Sequence, residues 1–283
     1  MIAGFTNPEA FRKGMILRIK ITAITNQPAF FPYNYQYAVH SALYSLIQES
    51  SANYSSFLHD KGYVKDGINK LFKLFTFSKL NFSPKNNGNG GFYKVSKIQF
   101  VFSTIMEKSM RHLILGIFSN QKMMLNLSGQ RHFFDIVNVD IQEDCQFTNT
   151  EKFICLSPIT VSSIMIKEKG KRVQHFLNYM VPAERDHFVE NLKKNLINKY
   201  ETINNIPYEN MKFPFQFHFE NNYIVKRNGR ISKLIEFKNN IKVKAMEAPF
   251  YIEADPELIK IGYDCGWGEK NSAGFGCVEK AAK

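Results

Sequence analysis

The sequence predicts an α+β fold made of two tandem βαββαβ halves with a glycine-rich loop near the C-terminus. Three observations carry this. Period-two strand patterns and period-3.6 helix patterns follow one another as strand, helix, strand, strand, helix, strand over residues 15–145. A polar stretch at 142–151 interrupts them, and residues 152–283 then run through a similar order without an alignable repeat. Two Gly-aromatic-Gly triplets, Gly266-Trp267-Gly268 and Gly274-Phe275-Gly276, frame a loop at 266–276.

Residues 1–14 mix Asn, Glu, Arg and Lys, contain no signal-peptide core and read as an N-terminal arm. Residues 15–24 alternate as a half-buried strand does. Pro32 precedes a helix to about residue 48, with Val39, Leu43, Leu46 and Ile47 on one stripe, and 53–58 reads as a short second helix. The Phe- and Leu-rich residues 71–82 are expected as one strand and 92–102 as its return. Between them 86–91 forms a hairpin tip, because Gly and Asn tolerate positive φ. A helix over 106–118 and strands at 123–127 and 132–141 complete a ferredoxin-like plan with one added strand.

The second half opens with a strand over 153–166 and a basic turn at 167–172. A helix over 184–200 follows, with Phe188, Leu192, Leu196 and Tyr200 four apart. Strands are expected at 211–219, 231–237 and 241–252, a helix at 256–263 and a last strand at 275–279.

Thirty-seven Lys and Arg against 25 Asp and Glu leave a net charge of +12, which favours a polyanionic partner, either nucleic acid or an anionic membrane surface. A membrane span is not expected, because no apolar run approaches the roughly 18–20 residues that one needs. Twenty-six Phe and 13 Tyr leave a surplus beyond the core that is available to stack on bases. Cys145, Cys155, Cys265 and Cys277 form no C-x-x-C pair, and no H-x-x-x-H accompanies them. Reduced, mostly buried thiols in a cytoplasmic protein without a metal or other cofactor are therefore expected.

In the 266–276 loop, glycine removes Cβ where a backbone or a phosphate must come close, and successive N–H groups can form an anion-binding nest. Lys270 and Asn271 add a charge and a donor between the triplets. Gly266, Gly268, Lys270, Asn271, Gly274 and Gly276 are thus candidate phosphate contacts. The competing reading is a tightly packed turn before the last strand. The loop is neither a P-loop nor the dinucleotide G-x-G-x-x-G.

Residues 260–279 resemble the closing glycine-rich loop of the RAMP superfamily, and in particular of the CRISPR-associated endoribonucleases that process precursor CRISPR RNA. Further matches fall in order at Pro32 to Tyr37, Ala42 to Leu46, Phe57-Leu58-His59 and Leu156 to Ile159, so the resemblance spans most of the chain. It implies tandem ferredoxin-like domains and metal-independent cleavage of CRISPR repeat RNA, leaving 5′-hydroxyl and 2′,3′-cyclic phosphate ends. The implied partners are that RNA and other subunits of a CRISPR effector complex, with the chain a monomer or a homodimer.

Cleavage by a neighbouring 2′-OH needs a base, an acid and a cation near the phosphate. The resemblance places Tyr44, His59 and Lys73 at the family's tyrosine, histidine and lysine. Lys70 rivals Lys73, because the connection from His59 to the next strand looks long. His40 lies four residues before Tyr44 on the same flank of the helix. Some relatives use a histidine from this helix, so His40 and His59 are both candidates and could divide the acid and base roles.

Two basic clusters are candidates for holding RNA: Lys167, Lys169, Lys171 and Arg172 in the turn, and Lys226, Arg227, Arg230 and Lys233 around Asn228-Gly229, read as a basic hairpin. Either cluster could equally be a solvated face. Two other functions compete with the endoribonuclease: a non-catalytic RAMP subunit that binds guide RNA, and an unrelated ferredoxin-like RNA-binding module. The latter would be expected to carry an RNP1 run, and none is visible.

Overall fold

The computed structural model describes residues 17–64, 71–166, 170–209, 212–237 and 241–282. Strand β1 (Arg18–Pro32) runs past its expected end at Ile24. It turns Ile19, Ile21 and Ala23 into the core of the first half. Helix α1 (Gln36–Ser50) lays Val39, Ala42, Leu43, Leu46 and Ile47 on that core. Ser51 ends α1 and caps α2 (Ala52–Ser56), its hydroxyl accepting from the Tyr54 N–H at 3.2 Å. The chain then widens into a π-helical turn, Phe57–Lys61, which closes at Gly62 with φ +61°.

The single strand expected over 71–82 is instead three pieces. After β2 (Tyr63–Val64), β3 (Leu71–Phe72) pairs with β2 alone, whereas β4 (Phe75–Phe77) and β5 (Asn81–Ser83) both pair with a later strand, β7 (Gly91–Thr104). The physical reason is a change of core. Phe72 and Leu74 pack into the second half, Phe75 and Phe77 into the first, and Leu74 at φ +53° makes the turn between them. The tip expected at 86–91 is present, with β6 (Asn86–Gly88) leading into β7 (Gly91–Thr104). Helix α3 (Glu107–Asn120), β8 (Lys122–Leu127) and β9 (Gln130–Ile141) complete this half. The main sheet runs β4-β7-β1-β9-β8, the ferredoxin-like order with β8 as the added edge strand.

The second half is built on β10 (Thr150–Cys155). The strand expected over 153–166 is two strands in different sheets, β10 and β11 (Ser162–Ile166). Between them Ile159 exchanges backbone hydrogen bonds with Met246, which draws the chain out of the first sheet. Strand β11 pairs with β12 (Arg172–Phe176), and the long helix α4 (Pro182–Asn204) follows.

Beyond β13 (Gln216–Phe219) comes a six-residue helix, α5 (Asn221–Lys226). The stretch read as a basic hairpin is therefore the end of α5 and a turn, with the Gly229 N–H donating to the Ile224 carbonyl and Asn228 and Gly229 both at positive φ. Likewise the strand expected over 241–252 is two: β15 (Lys242–Met246), paired with β14 (Ser232–Glu236), and β16 (Phe250–Glu253). Helix α6 (Pro256–Cys265) and β17 (Val278–Lys280) close the chain, and the sheet order β13-β16-β10-β17 repeats the ferredoxin-like plan.

Among the described residues no helix is long and apolar enough to cross a membrane. The four cysteines are unpaired, and burial pushes the Cys155 and Cys265 thiols up to about 12 and Cys277 up to about 11. Only Cys145 is partly exposed.

One buried acid on α6 gives a stability prediction. Burial pushes the Asp264 carboxyl up to about 6, although the Lys260 ammonium lies 3.0 Å away. Its folded value lies above its unfolded value, so folding favours the protonated form. The stability this group provides is complete below about pH 4 and is lost as pH rises through about 6. Asp264→Asn is expected to stabilise the protein at pH 8 by up to roughly 3 kcal/mol and to leave it unchanged near pH 4, as read from thermal melts. Lys260 retains Asp144 at 2.7 Å in that variant.

Candidate active site

Helix spacing brings His40 and Tyr44 together on one flank of α1, one turn apart, with ring centroids 4.7 Å apart. The His40 Nδ1 lies 2.6 Å from the Ser272 carbonyl oxygen. A carbonyl only accepts, so Nδ1 carries a proton and donates to it. Tyr37 stacks at 6.0 Å and Phe237, just beyond β14, stands edge-on at 5.8 Å. Three aromatic rings and one carbonyl thus fix this imidazole. Burial raises the Tyr44 pKa strongly, partly offset by a hydrogen bond with the Ser272 side chain, so Tyr44 is a neutral phenol at physiological pH.

His59 reaches the same tyrosine from the π-helical turn, its ring edge-on to Tyr44 at 6.0 Å. Its side chain is 71% exposed, and Nδ1 lies 2.7 Å from Asp60 Oδ1. Here too the carboxylate accepts and Nδ1 donates. π-helical turns recur at functional sites because the extra residue re-aims side chains. Lys73, just after β3, donates from Nζ to the His59 carbonyl at 2.7 Å. Burial lowers its pKa, and the nearby Asp60 charge opposes that shift. The rival Lys70 lies outside the described residues.

The glycine loop faces inward. Gly266, Gly268, Gly274 and Gly276 are all buried. A Cβ on Gly276 would stand 2.0 Å from the Trp267 carbonyl oxygen, and one on Gly268 would stand 2.4 Å from that of Thr160. The close approach that these two glycines permit is to the protein's own backbone, and both adopt positive φ. Trp267 plugs the second core against Phe153 and Phe250, and Phe275 is likewise fully buried. The Thr76 hydroxyl donates to the Phe275 carbonyl and ties the loop to the first half.

A buried ammonium organises the loop from beneath. Lys199 on α4 is 1% exposed and donates to the carbonyls of Gly266 and Gly268 and to Asn271 Oδ1. The Asn271 amide in turn donates to the Trp267 and Phe275 carbonyls. Ser272 is the next residue, so α4 holds the loop that holds His40. Lys199 and Ser272 were not singled out from the sequence. Lys199 had a visible signal, a lysine three and seven residues beyond Leu196 and Leu192 on the apolar stripe. Ser272 acts chiefly through its carbonyl, and a backbone atom leaves no such trace.

The structure therefore groups His40, Tyr44, His59 and Lys73 with the loop residues Asn271 and Ser272. Lys270 is half-buried, its ammonium 5.6 Å from the Phe176 ring. Of the basic turn, Lys171 and Arg172 are exposed at the start of β12, and Lys167 and Lys169 lie outside the described residues. Lys226, Arg227, Arg230 and Lys233 are exposed at the opposite end of β14 from Phe237, and so stand apart from the group around His40. Among the described residues no group of three or more His, Cys, Asp or Glu side chains is placed to hold a metal ion.

Two ferredoxin-like halves are locked by a glycine-rich loop with a histidine-tyrosine-lysine group beside it. The chain belongs to the Cas6 family: residues 30–138 match the family described as "CRISPR-associated protein Cas6, N-terminal", and residues 141–280 match "CRISPR associated protein Cas6, C-terminal". It is 30% identical over 263 residues to the CRISPR-associated endoribonuclease Cas6 1 of Methanocaldococcus jannaschii, covering 93% of this chain and 92% of that one. It is also 30% identical over 250 residues to the CRISPR-associated endoribonuclease Cas6 of Pyrococcus furiosus, covering 88% and 83%. Among solved structures, one titled "CRISPR associated protein Cas6" superposes with a TM-score of 0.71 at 27% identity, over 94% of this chain and 99% of that one. The fold is shared with "An RAMP protein binding different RNA substrates", at a TM-score of 0.73 and 17% identity over 94% of this chain and all of that one.

Proposed function

We propose that this chain is an endoribonuclease that cuts CRISPR repeat RNA in precursor transcripts, using the RNA's own 2′-hydroxyl and no metal. In the step, a 2′-oxygen bonds to the adjacent phosphorus and the bond from phosphorus to the 5′-oxygen breaks. One proton leaves the 2′-hydroxyl and one reaches the 5′-oxygen. The products are a 2′,3′-cyclic phosphate and a 5′-hydroxyl. The observation that carries this reading is the pair of imidazoles on Tyr44, each with Nδ1 already engaged by an acceptor.

With Nδ1 of each ring held by an acceptor, His40 and His59 divide the base and acid roles. Tyr44, neutral and held by Ser272, positions the phosphate between them. The Lys73 ammonium lies beside His59, where it offsets charge on the pentavalent phosphorus. The exposed Lys171 and Arg172, and the cluster from Lys226 to Lys233, contact RNA phosphates further along the strand.

The test is cleavage of the repeat RNA in EDTA, with an all-ribose substrate and one carrying a single 2′-deoxy at the scissile nucleotide. Cleavage that survives EDTA and stops at the 2′-deoxy substrate is expected. A chain that binds the repeat and never cuts it is a guide-RNA scaffold, and a chain inactivated by EDTA uses a different chemistry.

A further inference from the structure

Asn195 is left unused by the cleavage reading. It sits on the inner face of α4, one turn before Lys199, and is 3% exposed. Neither its amide oxygen nor its amide nitrogen has a hydrogen-bond partner among the described residues. Buried polar side chains are normally satisfied, so an amide stranded at both atoms calls for a partner that the protein does not itself supply.

The surroundings indicate what that partner is. Asn195 lines two clefts, one of about 300 Å³ and one of about 630 Å³. The smaller lies at the lower end of the usual range for ligand sites, roughly 300–1,000 Å³. Its lining includes the exposed Leu71, the buried Phe72 and Phe75, and the charged side chains of Lys73, Glu269 and Lys270. It adjoins the candidate active site, because Lys73 also reaches the His59 carbonyl and Ser272 also holds His40.

The exposed Leu71, the paired donor and acceptor of Asn195 and the cations Lys73 and Lys270 match the three parts of a nucleotide: base face, base edge and phosphate. A carboxamide offers an acceptor beside a donor. The pairing that Asn and Gln side chains commonly make is with adenine, through its amino group and N7.

We propose that this cleft is a nucleobase subsite for one unpaired adenine flanking the scissile phosphate, read at its edge by the Asn195 amide. The proposal rests on the RNA-cleaving reading above, and adds to it a residue that selects the base and thereby sets the register of the strand.

The test measures Kd for an uncleavable 2′-deoxy repeat RNA in which each adenine flanking the cut is replaced in turn by purine, which lacks the amino group. The protein is wild type or Asn195→Leu, a variant that keeps the volume and removes both stranded atoms. At one position, purine is expected to weaken wild-type binding about 5- to 150-fold. Asn195→Leu is expected to bind both RNAs with one weakened affinity while melting no lower than wild type. An Asn195→Leu protein with wild-type affinity overturns the proposal, since the amide would then hold only water. So does a wild type indifferent to purine at every position, a result that needs no variant to fold. Cleavage of the all-ribose RNA by wild type is scored separately. Adenine coupling without cleavage keeps the subsite and removes the enzyme, and cleavage without coupling does the reverse.

Discussion

His40→Ala is expected to slow single-turnover cleavage of the repeat RNA by about 10²- to 10⁴-fold, the usual worth of one general acid or base. Affinity for an uncleavable 2′-deoxy RNA should stay close to wild type, because the ring is held by Ser272, Tyr37, Tyr44 and Phe237 and is not part of a basic patch. The same loss is expected for His59→Ala. The pH dependence separates the two roles. Wild type should give a bell-shaped rate profile, and each single variant should lose one limb of it, the base variant the acidic limb and the acid variant the alkaline limb. A His40→Ala enzyme that cuts at the wild-type rate would reduce His40 to a packing residue and leave His59 without its partner.

Lys199→Met carries the largest expected cost to stability. Methionine fills similar space, but strands the Gly266 and Gly268 carbonyls and the Asn271 side-chain oxygen, all buried or half-buried. Each stranded group costs about 1–3 kcal/mol before any relaxation. A fall in Tm of the order of 10 °C is therefore expected for a chain of this length. The effect reaches the chemistry through Ser272, next to Asn271 on the loop. Well below the melting temperature, kcat should fall, and the limb of the pH profile that belongs to His40 should move, while KM changes little. A merely structural lysine would lower Tm and leave that limb in place.

Much of the fold is readable in the sequence because α1, α3 and α4 carry apolar stripes and β7 alternates from Ile98 to Phe102. The failures share a cause. Residues 71–82 are rich in Phe and Leu on both sides of the turn, and nothing local says that Phe72 and Leu74 belong to one core while Phe75 and Phe77 belong to the other. Residues 153–166 and 241–252 likewise hide a change of sheet within one stretch of strand-forming residues. Asn228-Gly229 read as a hairpin tip because the left-handed residues that make such a tip also end helices, which is what they do after α5. In the site, Tyr44, His59 and Lys73 were reachable through family resemblance and His40 through helix spacing. Lys199 and Asn195 were legible in principle as polar residues on a buried face. The inward-facing backbone of the loop, which fixes His40, has no side-chain signature.

The glycine loop is stitched to Thr76 in the first half and to Thr160 and Lys199 in the second. Neither half alone can complete it, and the His40–Ser272 contact exists only once both are docked. The enzyme is therefore assembled last. A nascent chain that has folded its first half displays His40, Tyr44 and His59 but lacks the clamp that orients them. The orientation of His40 by Ser272 thus waits until residues 266–276 have been made and docked against both halves.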